Sequence, residues 1–163
     1  MDIRDARAAD VPAIVEIYNQ AIREGDAVWR DEEVDVADRS AWLRDHQDRG
    51  QPVIVAEDDG EILGYACYSS FRGFSGYDLT VENSVYLSPA AQGRGLGTTL
   101  MEELIDRARA AGMHVMVAGV TATNEASLRL HARLGFTEVA RMPEVGRKFG
   151  NWLTLVYLQR ILD

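Results

Sequence analysis

The sequence predicts an α/β domain (α+β by some schemes), built on one mixed, mostly antiparallel central sheet with helices on both faces. Two observations predict it. The apolar pattern switches repeatedly along the chain between the alternation of strands and the spacing of helices. Between Val81 and Val120, a strand, a glycine-rich turn, a helix and a second strand follow one another, the layout of a right-handed crossover joining parallel strands. A chain of 163 residues suits one compact domain, 1–163, large enough to bury a core without covalent staples.

Ile3 to Ala6 reads as a short first strand. Asp10 reads as an N-cap, with Pro12 in the first helical turn, where a missing N–H is harmless. Val11, Ile14, Val15, Tyr18 and Ile22 carry that helix to about Glu24. Gly25 to Val34 is a loop carrying Trp29, and Asp35 caps a second helix closed by Gly50. Val53 to Glu57 and Ile62 to Tyr68 form a hairpin around Asp58-Asp59-Gly60, where glycine supplies a positive φ. Ser69 to Leu79 is a loop, and Thr80 to Leu87 is a strand ended by Ser88-Pro89. Leu96, Leu100, Leu104 and Ala108 mark one face of a helix that stops at Gly112. Val115 to Val120 is a strand, and Asn124 caps a helix holding Leu128 and Leu134, with Gly135 after it. Phe136 to Ala140 and Trp152 to Leu158 close the sheet.

Composition excludes several classes of function. A formal net charge of -9 argues against a nucleic-acid partner, which needs a concentrated basic face. It leaves room for a small anion held by main-chain N–H groups at a helix N-terminus. The single cysteine, Cys67, can form no internal disulfide and alternates with Leu63 and Tyr65 on a strand, which points to the core. No Cys/His cluster has metal-ligand spacing, so no metal is expected. No apolar run is long enough to cross a bilayer, and the N-terminus lacks a signal-peptide core, so a cytoplasmic location is the expectation.

The segment with the most chemistry is Gln92-Gly93-Arg94-Gly95-Leu96-Gly97-Thr98. Glycines here let several N–H groups converge on one point, and the helix that follows adds partial positive charge. A Rossmann site would place glycine where Thr98 stands and an acid near Met113 to Ala118, where there is none. A P-loop would need Gly-Lys-Ser/Thr, which is absent. The residues alone leave two readings open: a structural helix-start turn and a cradle for pyrophosphate.

Gln92-x-x-Gly95-x-Gly97 resembles the pyrophosphate-binding signature of the GNAT superfamily of N-acetyltransferases, which also follows a strand and opens a helix. Asn124, Ser127, Leu128, His131, Leu134, Gly135 and Phe136 look like that superfamily's second signature, and the order of elements matches over nearly the whole chain. Thr80 to Leu87, Val145 to Trp152, Phe71 to Phe74 and Ala27 to Trp29 are similar to the phosphinothricin and methionine sulfoximine acetyltransferase branch. That branch acetylates the α-amine of small amino-acid analogues.

The resemblance implies a GNAT-type acyl-CoA N-acyltransferase fold, acetyl-CoA as co-substrate, a small-molecule amino acid as acceptor and a homodimer. It implies that Val85, Tyr86 and Leu87 contact the pantetheine arm and the thioester. Gly93, Arg94, Gly95, Leu96, Gly97 and Thr98 would hold the pyrophosphate, and Asn124 would be a further cofactor contact. Arg133 reads equally as a partner for a CoA phosphate and as a solvated helix charge. Glu82 is the expected base, with anchoring of the substrate ammonium, or no role at all, as the competing readings. His131 stands where many superfamily members have tyrosine; it reads either as a general acid for the leaving thiolate or as packing under the cofactor. Arg72 is the expected partner of the substrate carboxylate, although loop arginines are usually only solvated. Gly73 sits beside it, Phe74 and Trp29 form an apolar wall, and Glu82, Asn83 and Ser84 border the same side. Acetylation of peptide N-termini or other amines, and a non-catalytic acyl-CoA-binding module, are the alternative functions.

Overall fold

The computed structural model describes residues 1–163. In chain order the elements are β1 (Asp2–Asp5), α1 (Val11–Glu24), α2 (Val36–Asp48), β2 (Val53–Asp58), β3 (Glu61–Ser70), β4 (Thr80–Leu87), α3 (Leu96–Ala110), β5 (Val115–Thr121), α4 (Glu125–Arg133), β6 (Thr137–Lys148) and β7 (Asn151–Ile161). The strands form one seven-stranded sheet in the order β1-β2-β3-β4-β5-β7-β6. Only β4 and β5 run parallel; every other neighbour is antiparallel. The mixed sheet and the element order are those the sequence predicts.

The period of two along the strands divides the core into two layers. Val53 and Val55 face one side with Tyr65 and Cys67, and are covered by Ile14 and Ile17 of α1 and Leu43 of α2. Ile54, Ala56 and Ala66 face the other side, against Leu100, Met101 and Leu104 of α3. Leu128 and Leu130 of α4 pack against that second layer. The α1/α2 layer draws its sheet residues from β2 and β3, with Tyr86 of β4 packed against it, and includes none from β5, β6 or β7.

Three local expectations differ from the structure. Asp10 does not cap α1: its carboxylate accepts two hydrogen bonds from the Arg4 guanidinium (2.7 and 2.8 Å) and one from the Arg7 N–H (2.7 Å). A charge-assisted bidentate pair outcompetes a single cap bond. Leu134 ends α4 rather than lying within it, because Gly135 takes φ +81° immediately after. β6 runs past Ala140 to Lys148, with register shifts at Glu138/Ala140 and Met142/Gly146. Pro143 falls at the second shift, which an edge strand tolerates because its N–H side need not pair.

The far end of β6 ties the sheet to the loop after α1. Lys148 is 3% exposed, and its ammonium donates to the carbonyls of Ile22, Gly25 and Val28, each at 2.7 Å. Two of those acceptors lie beyond α1, so a single buried cation fixes the path of that loop. Trp29 continues the attachment: its indole N–H lies 2.9 Å from the Asp26 carbonyl and 2.8 Å from Thr121 Oγ1. Its ring packs so close to Gly146 that a Cβ there would stand 2.1 Å away.

Replacing Lys148 with methionine leaves three buried carbonyls without a donor. The Lys148→Met protein should lose about 2–4 kcal/mol in urea unfolding. A loss below about 1 kcal/mol would show that water or the loop readily replaces the ammonium.

Candidate active site

The site begins where two parallel strands part. β4 and β5 pair only at Thr80↔Val115, Val81↔Met116 and Glu82↔Val117. Beyond that point β4 stays paired with β3 as far as Leu87, and β5 stays paired with β7 as far as Thr121. The facing edges therefore separate, and the backbone polar groups of residues 83–87 on that side have no strand partner. A side chain stands in the fork. Asn83 is 7% exposed; its amide donates to the Val117 carbonyl at 3.0 Å, in the place where the ladder stops. Its Oδ1 lies 3.0 Å from His131 Nε2, and His131 Nδ1 lies 2.8 Å from the Ser127 carbonyl in the first turns of α4.

A cleft of about 940 Å³ opens from this gap. Its walls are the end of β4 (Val85, Tyr86, Leu87), the glycine turn (Gly93, Gly95, Gly97, Thr98), the α4 residues Ser127, Leu130 and Arg133 with their cap Asn124, and Ile17 and Ala21 of α1. The cofactor residues expected from sequence thus come together on one cleft, apart from two. Arg94 is exposed and lines none of it, and Leu96 turns its side chain into the core.

The glycine turn has the form an anion needs. Gly93 and Gly95 take φ +73° and +82°, a region that costs other residues about 1–2 kcal/mol. Gly95 is the N-cap of α3, with no side chain capping it and no acid in the first turn. The first acceptor bonds of α3 come from the N–H groups of Thr98 and Thr99, leaving those of Leu96 and Gly97 for a ligand. Asn124 caps α4 through Ser127 N–H at 3.2 Å, which brings a second helix N-terminus to the same cleft.

At the fork itself stands Glu82. It is half-buried, and burial alone raises its pKa; no protein cation or donor pairs with the carboxylate. It lies on the sheet face that carries Val117, Gly119 and Thr121, the part that the α1/α2 layer leaves uncovered. Tyr157 of β7 pairs with Gly119, and Phe71 meets Tyr157 edge-on with centroids 6.1 Å apart. The Arg72 guanidinium stacks over the Phe71 ring at 5.3 Å. Trp29, held to Thr121, closes the other end of this face. Arg72 and Gly73 are exposed, and Phe74 is 77% exposed. Ser84 is half-buried and pairs with Cys67 of β3. Sequence reasoning missed Phe71, Gly119, Leu155 and Tyr157 as site residues. No local motif marks Gly119, Leu155 or Tyr157; the register of β5 against β7 brings Leu155 and Tyr157 to Gly119, which lies beside Glu82, and Phe71 joins them through its contact with Tyr157.

His131 is 2% exposed and does not line the cleft. Burial lowers its pKa, and the bond to Ser127 opposes that shift. Both ring nitrogens face oxygen acceptors, because Asn83 must turn its amide N–H to Val117. A ring with one proton satisfies only one of them, so the protonation state of His131 is coupled to the wedge in the fork. Ser127 Oγ lies 3.3 Å from Nδ1, and Ser127 does line the cleft. Cys67 is buried, and burial pushes its thiol up to about 12, so it offers no thiolate nucleophile at neutral pH. No three His, Cys, Asp or Glu side chains converge as a metal site.

A model of the acetyltransferase (GNAT) family matches residues 12–136. The L-methionine sulfoximine/L-methionine sulfone acetyltransferase of Salmonella typhimurium is 52% identical over 163 residues, which are 100% of this chain and 95% of the relative. An acetyltransferase from Salmonella typhimurium, solved with its cofactor acetyl-CoA, has a TM-score of 0.98 at 52% identity, covering 100% of this chain and 94% of its own. A GNAT superfamily phosphinothricin acetyltransferase from Sinorhizobium meliloti, in complex with acetyl-CoA, has a TM-score of 0.96 at 37% identity, covering 99% and 88%.

The glycine turn, the two helix N-termini and the volume of the cleft fit a ligand with a diphosphate and an extended arm. Gly95→Ala should strain the turn by about 1–2 kcal/mol and weaken CoA binding about tenfold in calorimetry. An unchanged Kd would place the diphosphate elsewhere.

Proposed function

Because the chain belongs to the GNAT family of acetyltransferases, we propose that it is an amino-acid N-acetyltransferase that moves the acetyl group of acetyl-CoA to the α-amine of a small amino acid or analogue. Methionine sulfoximine, methionine sulfone and phosphinothricin are the acceptors to try first, since its relatives act on them. One observation carries the reading: a half-buried carboxylate without a protein partner stands at the fork of β4 and β5, beside the gap that the glycine turn borders.

The chemistry is direct attack in a ternary complex. An amino-acid amine is protonated at neutral pH and must lose a proton before it attacks. Glu82 takes that proton, directly or through water, and its raised pKa makes it a better base. The amine lone pair then forms the C–N bond, while the C–S pair leaves with the CoA sulfur. Main-chain N–H groups at Val85 to Leu87, free of any strand partner on the open side, are placed to stabilise the oxyanion. His131 reaches the cleft only through Ser127: in its doubly protonated form the Nδ1 proton passes to the Ser127 hydroxyl as that hydroxyl protonates the sulfur, leaving a neutral ring. The nitrogen's second proton leaves to solvent, and the ring regains its own from solvent through Ser127. With Cys67 buried as a thiol, no acyl-enzyme step is needed.

For the acceptor, Arg72 binds the carboxylate, with Gly73 beside it. Phe71, Phe74, Tyr157 and Trp29 form the apolar wall. Arg133, on the cleft rim, is a contact for a CoA phosphate. Residues 1–163 act as one N-acetyltransferase domain. A homodimer is supported by the edge strand β6, where Val139, Met142 and Val145 are exposed, by Phe149 in the adjoining turn and by Trp152 at the start of β7. No helix is long and apolar enough to cross a membrane, which fits a cytoplasmic enzyme.

The acid limb of kcat/KM should lie above the ordinary glutamate range near 4.3, falling about tenfold per pH unit below it as Glu82 gains its proton. Glu82→Gln should keep wild-type CoA affinity, lose roughly 10²–10⁴ in turnover and lose that limb. Retention of the limb in the variant would assign the base elsewhere. CoA binding by the wild-type protein without thiol release with any small amino acid would mark a binding module instead.

A further inference from the structure

Asn83 is oriented by a group that can only accept. The Val117 main-chain carbonyl takes its amide N–H at 3.0 Å, so the side-chain oxygen has to face the other way, toward His131 Nε2, also at 3.0 Å. Both side chains are buried, and the Phe136 ring stands edge-on to the imidazole with centroids 5.0 Å apart. No charged side chain acts on the ring; burial and the Ser127 carbonyl are the only influences on its proton. Two neutral tautomers compete, and hydrogen bonding decides between them. With the proton on Nδ1, the ring donates to the Ser127 carbonyl at 2.8 Å, but Nε2 and Asn83 Oδ1 then face each other as bare lone pairs with no donor near. With the proton on Nε2, the ring donates to Asn83, and Nδ1 accepts from the Ser127 hydroxyl at 3.3 Å. The Ser127 carbonyl still has the main-chain N–H four residues on along α4. The second tautomer makes one more bond and leaves no buried acceptor bare, which is the costlier defect.

We propose that Asn83 is a positioning residue for proton delivery: it keeps one proton of His131 on Nε2, so that the proton gained and given away is the one on Nδ1, which faces Ser127 and, through it, the cleft. The inference rests on the acetyl-transfer reading and deepens it. Asn83 itself does not line the cleft. As the C–S bond breaks, the sulfur takes the Ser127 hydroxyl proton, and the Ser127 oxygen takes the Nδ1 proton of the doubly protonated ring. The ring ends neutral, with its Nε2 proton still on Asn83 and the Ser127 hydroxyl directed at Nδ1. That end state is the tautomer the hydrogen bonds favour, so the relay finishes in the resting arrangement of the network.

The experiment has two arms. The first is nitrogen NMR of the protein with isotope-labelled histidine, at a pH above the titration of the ring, with His131→Gln to identify its signals. In the wild type Nε2 should carry the proton and Nδ1 should be bare. In Asn83→Leu the proton should move to Nδ1, where the Ser127 carbonyl holds it. The second arm is thiol-release kinetics at saturating acetyl-CoA, with whichever of methionine sulfone, methionine sulfoximine or phosphinothricin the wild type turns over best. Asn83→Leu and Ser127→Ala should each lower kcat roughly 10–100-fold with KM for the amino acid unchanged. The double variant should lose no more than the worse single one, because both changes break one relay. A wild-type ring protonated on Nδ1, single losses that multiply in the double variant, or a Ser127→Ala enzyme with wild-type kcat overturns the inference alone. Should Asn83→Leu fail to fold, the wild-type tautomer and Ser127→Ala decide it. A wild-type protein inactive with every primary amine overturns the acetyl-transfer reading and this inference with it.

Discussion

The fork between β4 and β5 is the constraint on which the rest of the molecule depends. Parallel neighbours normally exhaust each other's hydrogen bonds, and an open ladder inside a sheet would be costly. Here the ladder stops after Glu82↔Val117, and the Asn83 side chain takes over the next acceptor, the Val117 carbonyl. That substitution turns a sheet interior into a usable edge. The same amide reaches His131, and through it the first turns of α4, so the width of the fork and the position of a cleft wall are set by one chain of hydrogen bonds. Such networks act as units, because each member polarises and orients the next.

An acidic protein offers an anion seat here without a basic cluster. The formal net charge is -9, yet the cleft presents main-chain N–H groups from a turn with two left-handed glycines and from two helix N-termini. Partial charges fixed by the backbone serve at close range without side-chain cations whose field would reach further. The buried cation is used differently. Lys148 satisfies three carbonyls around the end of α1 and positions the loop that carries Trp29. Cys67 is unsuited to be a nucleophile for an equally physical reason, since burial keeps its thiol protonated.

The two helical layers divide the sheet unequally. α3 and α4 pack on the face whose core includes residues of β5 and β7, while α1 and α2 end their cover at β4 on the other. Glu82 stands half-buried at the border of the uncovered stretch, where β4 meets β5. Its raised pKa follows from this position: enough protein surrounds the carboxylate to disfavour its charge, and no cation compensates.

Local chemistry was legible in the sequence. Strand Thr80–Leu87, the Asp58-Asp59-Gly60 turn, the Asn124 cap and the glycine turn were all readable, because each depends on dihedral preferences or on bonds spanning a few residues. The cleft followed from them, since its glycines and β4 residues are near one another in the chain. Other features were decided only by tertiary structure. Asp10 was drawn from a cap to Arg4, Pro143 was carried within β6 because that strand is an edge, and His131 was buried behind Ser127, which stands between it and the cleft. Gly119 was set beside Glu82, and Leu155 and Tyr157 beside Gly119, by the register of strands distant in the chain, with Phe71 brought against Tyr157. Sequence thus determined which backbone shapes form and what ligand chemistry they suit. Tertiary structure determined which side chains meet, because strand register and layer coverage are set by long-range pairing that no short segment encodes.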